Sequence, residues 1–146
     1  MLPTERTIVP HAIHGQEPIT LPRATLVREA VQLMAKRRIG AIMIVEDDKL
    51  FGIFTERDAM IRIVAESRDP DKTTLGEVMT PDPVTIKASD SVILALEMMN
   101  QRGFRHLPVV ESGRLVGIVS IRDLYRNVKE QMDDDILMLA ETLIQG

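Results

Sequence analysis

The sequence predicts an α/β fold of the α+β kind, in which two β-α-β-β-α repeats pack about a pseudo-twofold axis and an extended C-terminal helix follows. Three observations lead there. Shifting the 146-residue chain by 65 positions aligns Pro18–Ile61 with Pro83–Arg126 without a gap, with 13 identities in 44 positions. Within each copy the hydrophobic period changes in the same order. With 45% apolar and 27% charged residues, the chain has the composition of one packed core with an ordinary solvated surface.

Each element follows from its local pattern. Pro18-Ile19-Thr20-Leu21 and Pro83-Val84-Thr85-Ile86 open the copies as short extended segments, Pro suiting a strand start or edge. Thr25 in the first copy and Ser89 or Asp90 in the second are the expected caps of the next helix. Leu26, Ala30, Leu33 and Met34, and Val92, Leu96 and Met99, recur at helical spacing, and the helix is expected to end near Arg38 and Gly103. Ala41–Val45 and Leu107–Val110 read as apolar strands. Turns at Glu46-Asp47-Asp48 and Glu111-Ser112-Gly113 lead back through Leu50–Phe54 and Leu115–Val119, making a hairpin in each copy. Thr55 and Ser120 then start second helices over Glu56–Ala65 and Ile121–Val128.

A three-stranded sheet with two short helices covers its own apolar face only in part, so the copies are expected to pack sheet against sheet. The segments are therefore 1–17, 18–65 (first repeat), 66–82 (a polar linker with a helical turn at Leu75–Met79), 83–128 (second repeat) and 129–146 (C-terminal helix). Residues 1–17 show no periodicity and are expected to be partly disordered or to drape along the module. Val128, Met132, Ile136, Leu139 or Ala140, and Leu143 form an apolar stripe that needs a partner surface.

Composition excludes several functions. Eighteen Lys and Arg against 22 Asp and Glu leave no basic excess for nucleic acid. No Cys is present, so disulfides, thiolate zinc sites and cysteine nucleophiles are out. The longest apolar runs are five residues, as at Ala41–Val45, against roughly 18 for a bilayer span. With no apolar signal core, the chain is read as cytoplasmic and not membrane-associated. No nucleophile elbow, Walker lysine loop or Gly-rich dinucleotide turn occurs, so no enzyme is expected.

The densest agreement between copies is Gly52-Ile53-Phe54-Thr55-Glu56-Arg57-Asp58 against Gly117-Ile118-Val119-Ser120-Ile121-Arg122-Asp123. A hydroxyl followed three residues later by Asp is a helix cap. The same hydroxyl with the free N–H groups of a helix start can also receive a phosphate, while the carboxylate accepts both hydroxyls of a ribose. The two readings are compatible. Capping alone does not require the preceding Gly, the Arg or their duplication, which favours a ligand.

These endings, the Leu107-Pro108-Val109-Val110 strand and the lead-in Met79-Thr80-Pro81-Asp82-Pro83-Val84-Thr85 resemble a tandem pair of cystathionine-β-synthase (CBS) domains, the Bateman module, over about residues 18–126. The resemblance implies binding of an adenosine-containing ligand (AMP, ADP, ATP, NAD or S-adenosylmethionine) in the cleft between domains, with no catalytic cofactor. It makes Asp58 and Asp123 the ribose holders and Thr55 and Ser120 the phosphate hydroxyls. Ile19-Thr20 and Val84-Thr85 become the first-strand adenine positions. Arg37-Arg38 and Arg102 are placed to reach phosphates, with Arg57 and Arg122 as further candidates. Ala41, beside Gly40, gives room where the second copy has Arg105-His106, and Met43 stands where it has Pro108, which allows asymmetric binding.

The resemblance further implies an energy sensor acting as a homodimer on an unidentified effector protein. About 17 residues precede the pair and about 20 follow it, which reads as a stand-alone protein without an output domain. The rivals are a ligand-independent interaction or structural dimer module and, last, a nucleotide-processing enzyme. His11 and His14, three apart in a Gly- and Pro-bearing segment, read as a solvated tail and not as a metal site. His106 reads as a structural or cleft-lining histidine, and Asp133-Asp134-Asp135 as a solvated helix face.

Overall fold

A computed structural model describes residues 5–145. In the first repeat β1 (Thr20–Leu21) leads to α1 (Val27–Arg37), β2 (Ala41–Glu46), β3 (Lys49–Thr55) and α2 (Glu56–Asp58), which continues as a π-helical segment, Ala59–Val64. A short α3 (Leu75–Val78) and β4 (Thr80–Pro81) follow in the linker. The second repeat has β5 (Ile86–Lys87), α4 (Val92–Arg102), β6 (His106–Glu111), β7 (Arg114–Ser120) and α5 (Ile121–Gln145). The expected order of elements is therefore present in both copies, and the two segments anticipated at Ile121–Val128 and Val128–Ile144 form one continuous helix.

Local chemistry accounts for the elements. Val27, Ala30 and Met34, and Val92, Ala95 and Met99, are the buried stripes of α1 and α4 at three- and four-residue spacing. Both helices end on a left-handed residue, Arg38 (φ 55°) and Gly103 (φ 77°). Glycine adopts that conformation freely, whereas Arg38 adopts it against its Cβ. The hairpins turn on Asp47-Asp48 and Ser112-Gly113, all at positive φ, the two-residue turn whose twist matches antiparallel strands. Both ladders shift register at equivalent places, Ile44/Val45 and Val109/Val110.

The helix starts differ from expectation for a physical reason. The caps are Leu26 and Ser91, not Thr25 and Ser89 or Asp90. The carbonyls of Thr25 and Asp90 accept bonds from Leu75 N–H (2.8 Å) and Ile8 N–H (2.9 Å), which keeps the chain extended one residue longer. Ser91 caps α4 by accepting from Leu94 N–H at 3.0 Å, while the apolar Leu26 gives α1 no side-chain cap.

The same bonds reveal a swap between repeats. Each core is completed by the segment that precedes the opposite repeat. Leu75 and Val78 of the linker join Val27, Ala30, Ile42, Ile44 and Phe54, and β4 adds a fourth strand to the sheet β1-β2-β3 that was expected to have three. Ile8 and Ile13 of the N-terminal segment join Val92, Ala95, Leu107, Val109 and Leu124 beside the three-stranded sheet β5-β6-β7. Residues 7–16 are thus tied down rather than loose, and the first four residues and Gly146 lie outside the described residues. Gly52 and Gly117 are the crossing points. A Cβ on Gly52 would lie 2.5 Å from Met79 Sδ and 2.9 Å from the Thr80 carbonyl oxygen; on Gly117 it would lie 2.6 Å from Gln16 Oε1 and 2.8 Å from Ile13. The duplicated glycine therefore has a packing role.

On β2 and β3, Ile42, Ile44 and Phe54 face the repeat's own core, while Ala41, Met43 and Ile53 are buried on the other face. That second face meets the other repeat where β3 lies against β7. The sheets pack about the pseudo-twofold axis, and a cleft opens on either side of it.

Candidate functional site

Both duplicated endings make the reciprocal cap. Thr55 is extended, and its hydroxyl oxygen accepts from Asp58 N–H at 3.2 Å. Asp58 Oδ2 accepts from Thr55 N–H (2.9 Å) and from its hydroxyl (3.2 Å). In the second repeat Asp123 Oδ2 accepts from Ser120 N–H (2.8 Å) and its hydroxyl (2.9 Å), and Ser120 Oγ accepts from Asp123 N–H (3.1 Å). One carboxylate oxygen of each pair is committed to the cap. The other, Oδ1, sits 3.7 Å from Arg62 Nε in Asp58 and is bonded to the exposed Arg126 guanidinium in Asp123.

The clefts are crossed. Cleft 1, about 770 Å³, combines Ile53, Thr55, Arg57 and Asp58 of the first repeat with Asp82, Val84, Arg102 and Phe104 of the second and its lead-in. Cleft 2, about 990 Å³, combines Ser120, Arg122, Asp123 and Arg126 of the second repeat with Glu17, Ile19, Arg38, Ala41 and Met43 of the first and its lead-in. The lead-in positions correspond, Glu17-Pro18-Ile19 in one cleft and Asp82-Pro83-Val84 in the other. Arg57 reaches the opposite repeat directly, its guanidinium 3.5 Å from the Gly103 carbonyl.

Of the residues singled out in the sequence, Thr55, Arg57, Asp58, Val84 and Arg102 converge on cleft 1, and Ile19, Arg38, Ala41, Ser120, Arg122 and Asp123 on cleft 2; His106 lines both. Thr20, Arg37 and Thr85 line neither cleft and are exposed, although each adjoins a lining residue, Ile19, Arg38 or Val84. Sequence reasoning passed over Glu56, Asp82, Phe104 and Arg126 as site residues. The 65-residue offset carried a signal for one of them, since Asp82 is the counterpart of Glu17 beside the paired prolines.

At the axis His106 lies against Gly40 and Glu56. A Cβ on Gly40 would be 3.2 Å from both His106 Nε2 and Glu56 Oε1, so this glycine makes room for the imidazole. Burial holds His106 below its ordinary pKa, with the charge of Arg105 acting the same way and those of Glu56 and Asp123 opposing it. Elsewhere, His11 Nδ1 is hydrogen-bonded to Thr7 N–H at 2.9 Å. Among the described residues no three His, Asp or Glu side chains converge to hold a metal ion, and no helix is long and apolar enough to cross a membrane.

Two small α+β units, each closed by the other's lead-in and sharing two crossed clefts, make up a duplicated module. The family model described as CBS domain matches residues 12–65 and 75–130, and the chain belongs to this family. It is 36% identical over 118 residues to the CBS domain-containing protein CBSCBSPB3 of Arabidopsis thaliana, covering 80% of this chain but 21% of that protein. The chain thus spans about a fifth of the first curated relatives it matches. Among solved structures it resembles the CBS domain protein PAE2072 of Pyrobaculum aerophilum complexed with AMP (TM-score 0.69, 32% identity, 75% of this chain and 85% of that one). It also resembles the CBS domain pair of protein MJ0100 in complex with 5′-methylthioadenosine and S-adenosyl-L-methionine (TM-score 0.77, 27% identity, 88% of this chain and 99% of that one).

Proposed function

We propose that this CBS pair is a non-catalytic regulatory module that binds an adenosine-containing nucleotide, AMP, ADP, ATP or NAD, in its crossed clefts. The observation that carries the reading is the convergence in each cleft of a capped carboxylate from one repeat with the lead-in and arginines of the other. Asp58 or Asp123 holds the ribose hydroxyls through the oxygen the cap leaves over. Thr55 or Ser120 and the helix N–H groups meet the phosphate with Arg57 and Arg102 in cleft 1, or Arg38 and Arg122 in cleft 2. Ile19 and Val84 supply the apolar wall for adenine. The AMP and S-adenosylmethionine complexes of the related pairs support the ligand class.

The module acts in this reading as a cytoplasmic homodimer whose arrangement an effector protein senses. Support for association comes from the apolar side chains left exposed on the last helices of both repeats, Met60 and Val64 in one and Tyr125, Met132, Ile136 and Leu139 in the other. Nucleotide that prefers one arrangement shifts the population toward it by its differential affinity.

A second reading, a ligand-independent interaction module, is favoured by one specific observation: both hydroxyls and one oxygen of each carboxylate are already satisfied by the caps. Thermal unfolding against AMP, ADP, ATP, NAD and S-adenosylmethionine, with GTP as control, separates the two. Ligand binding to the folded state alone stabilises by about 2.7 kcal/mol at a hundredfold excess over Kd. A selective rise with adenine ligands is expected; a flat panel would leave the duplicated motifs as helix caps.

A further inference from the structure

Four residues, Gly40, Glu56, Arg105 and His106, line both clefts. They form the wall at the pseudo-twofold axis, and its two faces have not diverged equally. The first repeat contributes Gly40 and Ala41, small and uncharged, where the second contributes Arg105 and His106 at the matching places. Glu56 of the first repeat has Ile121 as its counterpart. A symmetric wall would hold one cation for each cleft. Here a single guanidinium, with an imidazole held toward its neutral form by burial, serves two clefts that also share one carboxylate.

We propose that the two clefts are negatively coupled for phosphate-bearing ligands through this shared wall, Arg105 being the residue for which they compete. The inference rests on the nucleotide reading above and deepens it. An anionic ligand in either cleft draws on Arg105, and a second one meets Glu56 with that cation already engaged. A ligand without phosphate has nothing to compete for, so the coupling is selective for charge and not for adenosine. The module then takes up its first nucleotide readily and its second only at a much higher concentration.

Calorimetric titration of the whole chain with ATP tests this, with adenosine as the phosphate-free probe. Asp58→Asn leaves cleft 2 and Asp123→Asn leaves cleft 1 as single-cleft references, the amide oxygen still able to accept the cap bond. If circular dichroism shows either to be misfolded, the exposed Arg57→Ala and Arg122→Ala take their place. The expected wild-type ATP isotherm is not the sum of the two references, its second equivalent binding at least about fivefold more weakly than the weaker reference. Arg105→Ala restores additivity, and adenosine is additive throughout. A wild-type ATP isotherm equal to the sum, ATP binding in only one of the two references, or a shortfall unchanged by Arg105→Ala overturns the coupling while leaving the nucleotide reading intact. Absence of ATP and adenosine binding at both clefts would instead remove that reading, and the coupling with it.

Discussion

The two repeats treat their helix caps alike and their shared wall differently. Thr55-Asp58 and Ser120-Asp123 make the same hydrogen bonds to within 0.3 Å, whereas Gly40-Ala41 on one side of the axis faces Arg105-His106 on the other. The caps are required twice because each starts a helix that covers its own core. The wall exists once, so the two sequences that build it are free to specialise, one supplying space and the other charge. In these two features the residues are kept where each copy needs them for itself and have diverged where both copies share one place.

The swap of lead-in segments supplies the largest effects. Ile8 is fully buried in the core of the second repeat, although it lies in a segment without periodicity. Ile8→Ala is expected to destabilise the protein by about 2–5 kcal/mol, as for a core residue, read by urea unfolding. A change under about 0.5 kcal/mol, the range of surface substitutions, would mean the N-terminal segment is not part of that core.

The crossing glycines sharpen the comparison. Gly52→Ala brings a Cβ against a backbone oxygen at 2.9 Å, and Gly117→Ala brings one against the ends of the Gln16 and Ile13 side chains, which can move. The first is expected to cost about 1–3 kcal/mol and the second less. Equal losses would contradict the asymmetry of the two crossings.

The smallest effect belongs to His106. Because burial lowers its pKa in the folded state, the unfolded chain binds that proton more readily, so stability rises with pH up to the ordinary value near 6.5 and is lost as pH falls below it. The urea midpoint should decline more between about pH 7.5 and about pH 5.5 in the wild type than in His106→Gln. Superimposable pH profiles would show that the imidazole is not held neutral.

Much of this was legible in the sequence. The helix stripes, the helix ends near Arg38 and Gly103, both hairpins and the cap motifs follow from spacing and residue type, because local hydrogen bonds and a single buried face determine them; the left-handed conformation of Arg38 does not. The crossed assembly was not. An internal alignment pairs Asp58 with Asp123 and Val84 with Ile19, but it says nothing of which pairs share a cleft. That depends on where the lead-ins run, and these are anchored by few residues: Ile8 and Ile13 in one case, Leu75 and Val78 in the other. Leu26 as a helix start was equally hidden, since a backbone bridge to Thr74 and not its side chain holds the chain there. Thr20, Arg37 and Thr85 are each one residue from a cleft-lining position, a step finer than the internal alignment resolves.

The central claim is that each ligand is held by both repeats, and counting sites tests it most directly. Asp58→Asn combined with Arg102→Ala changes cleft 1 alone, whereas Asp58→Asn combined with Arg38→Gly, which installs the residue the second repeat has at that helix end, changes one residue in each cleft. In AMP titrations the first pair is predicted to retain one equivalent at the affinity of an untouched cleft 2, and the second pair to weaken both. If the second pair instead keeps one untouched equivalent and the first loses both, each repeat binds its ligand by itself and the crossed arrangement is wrong.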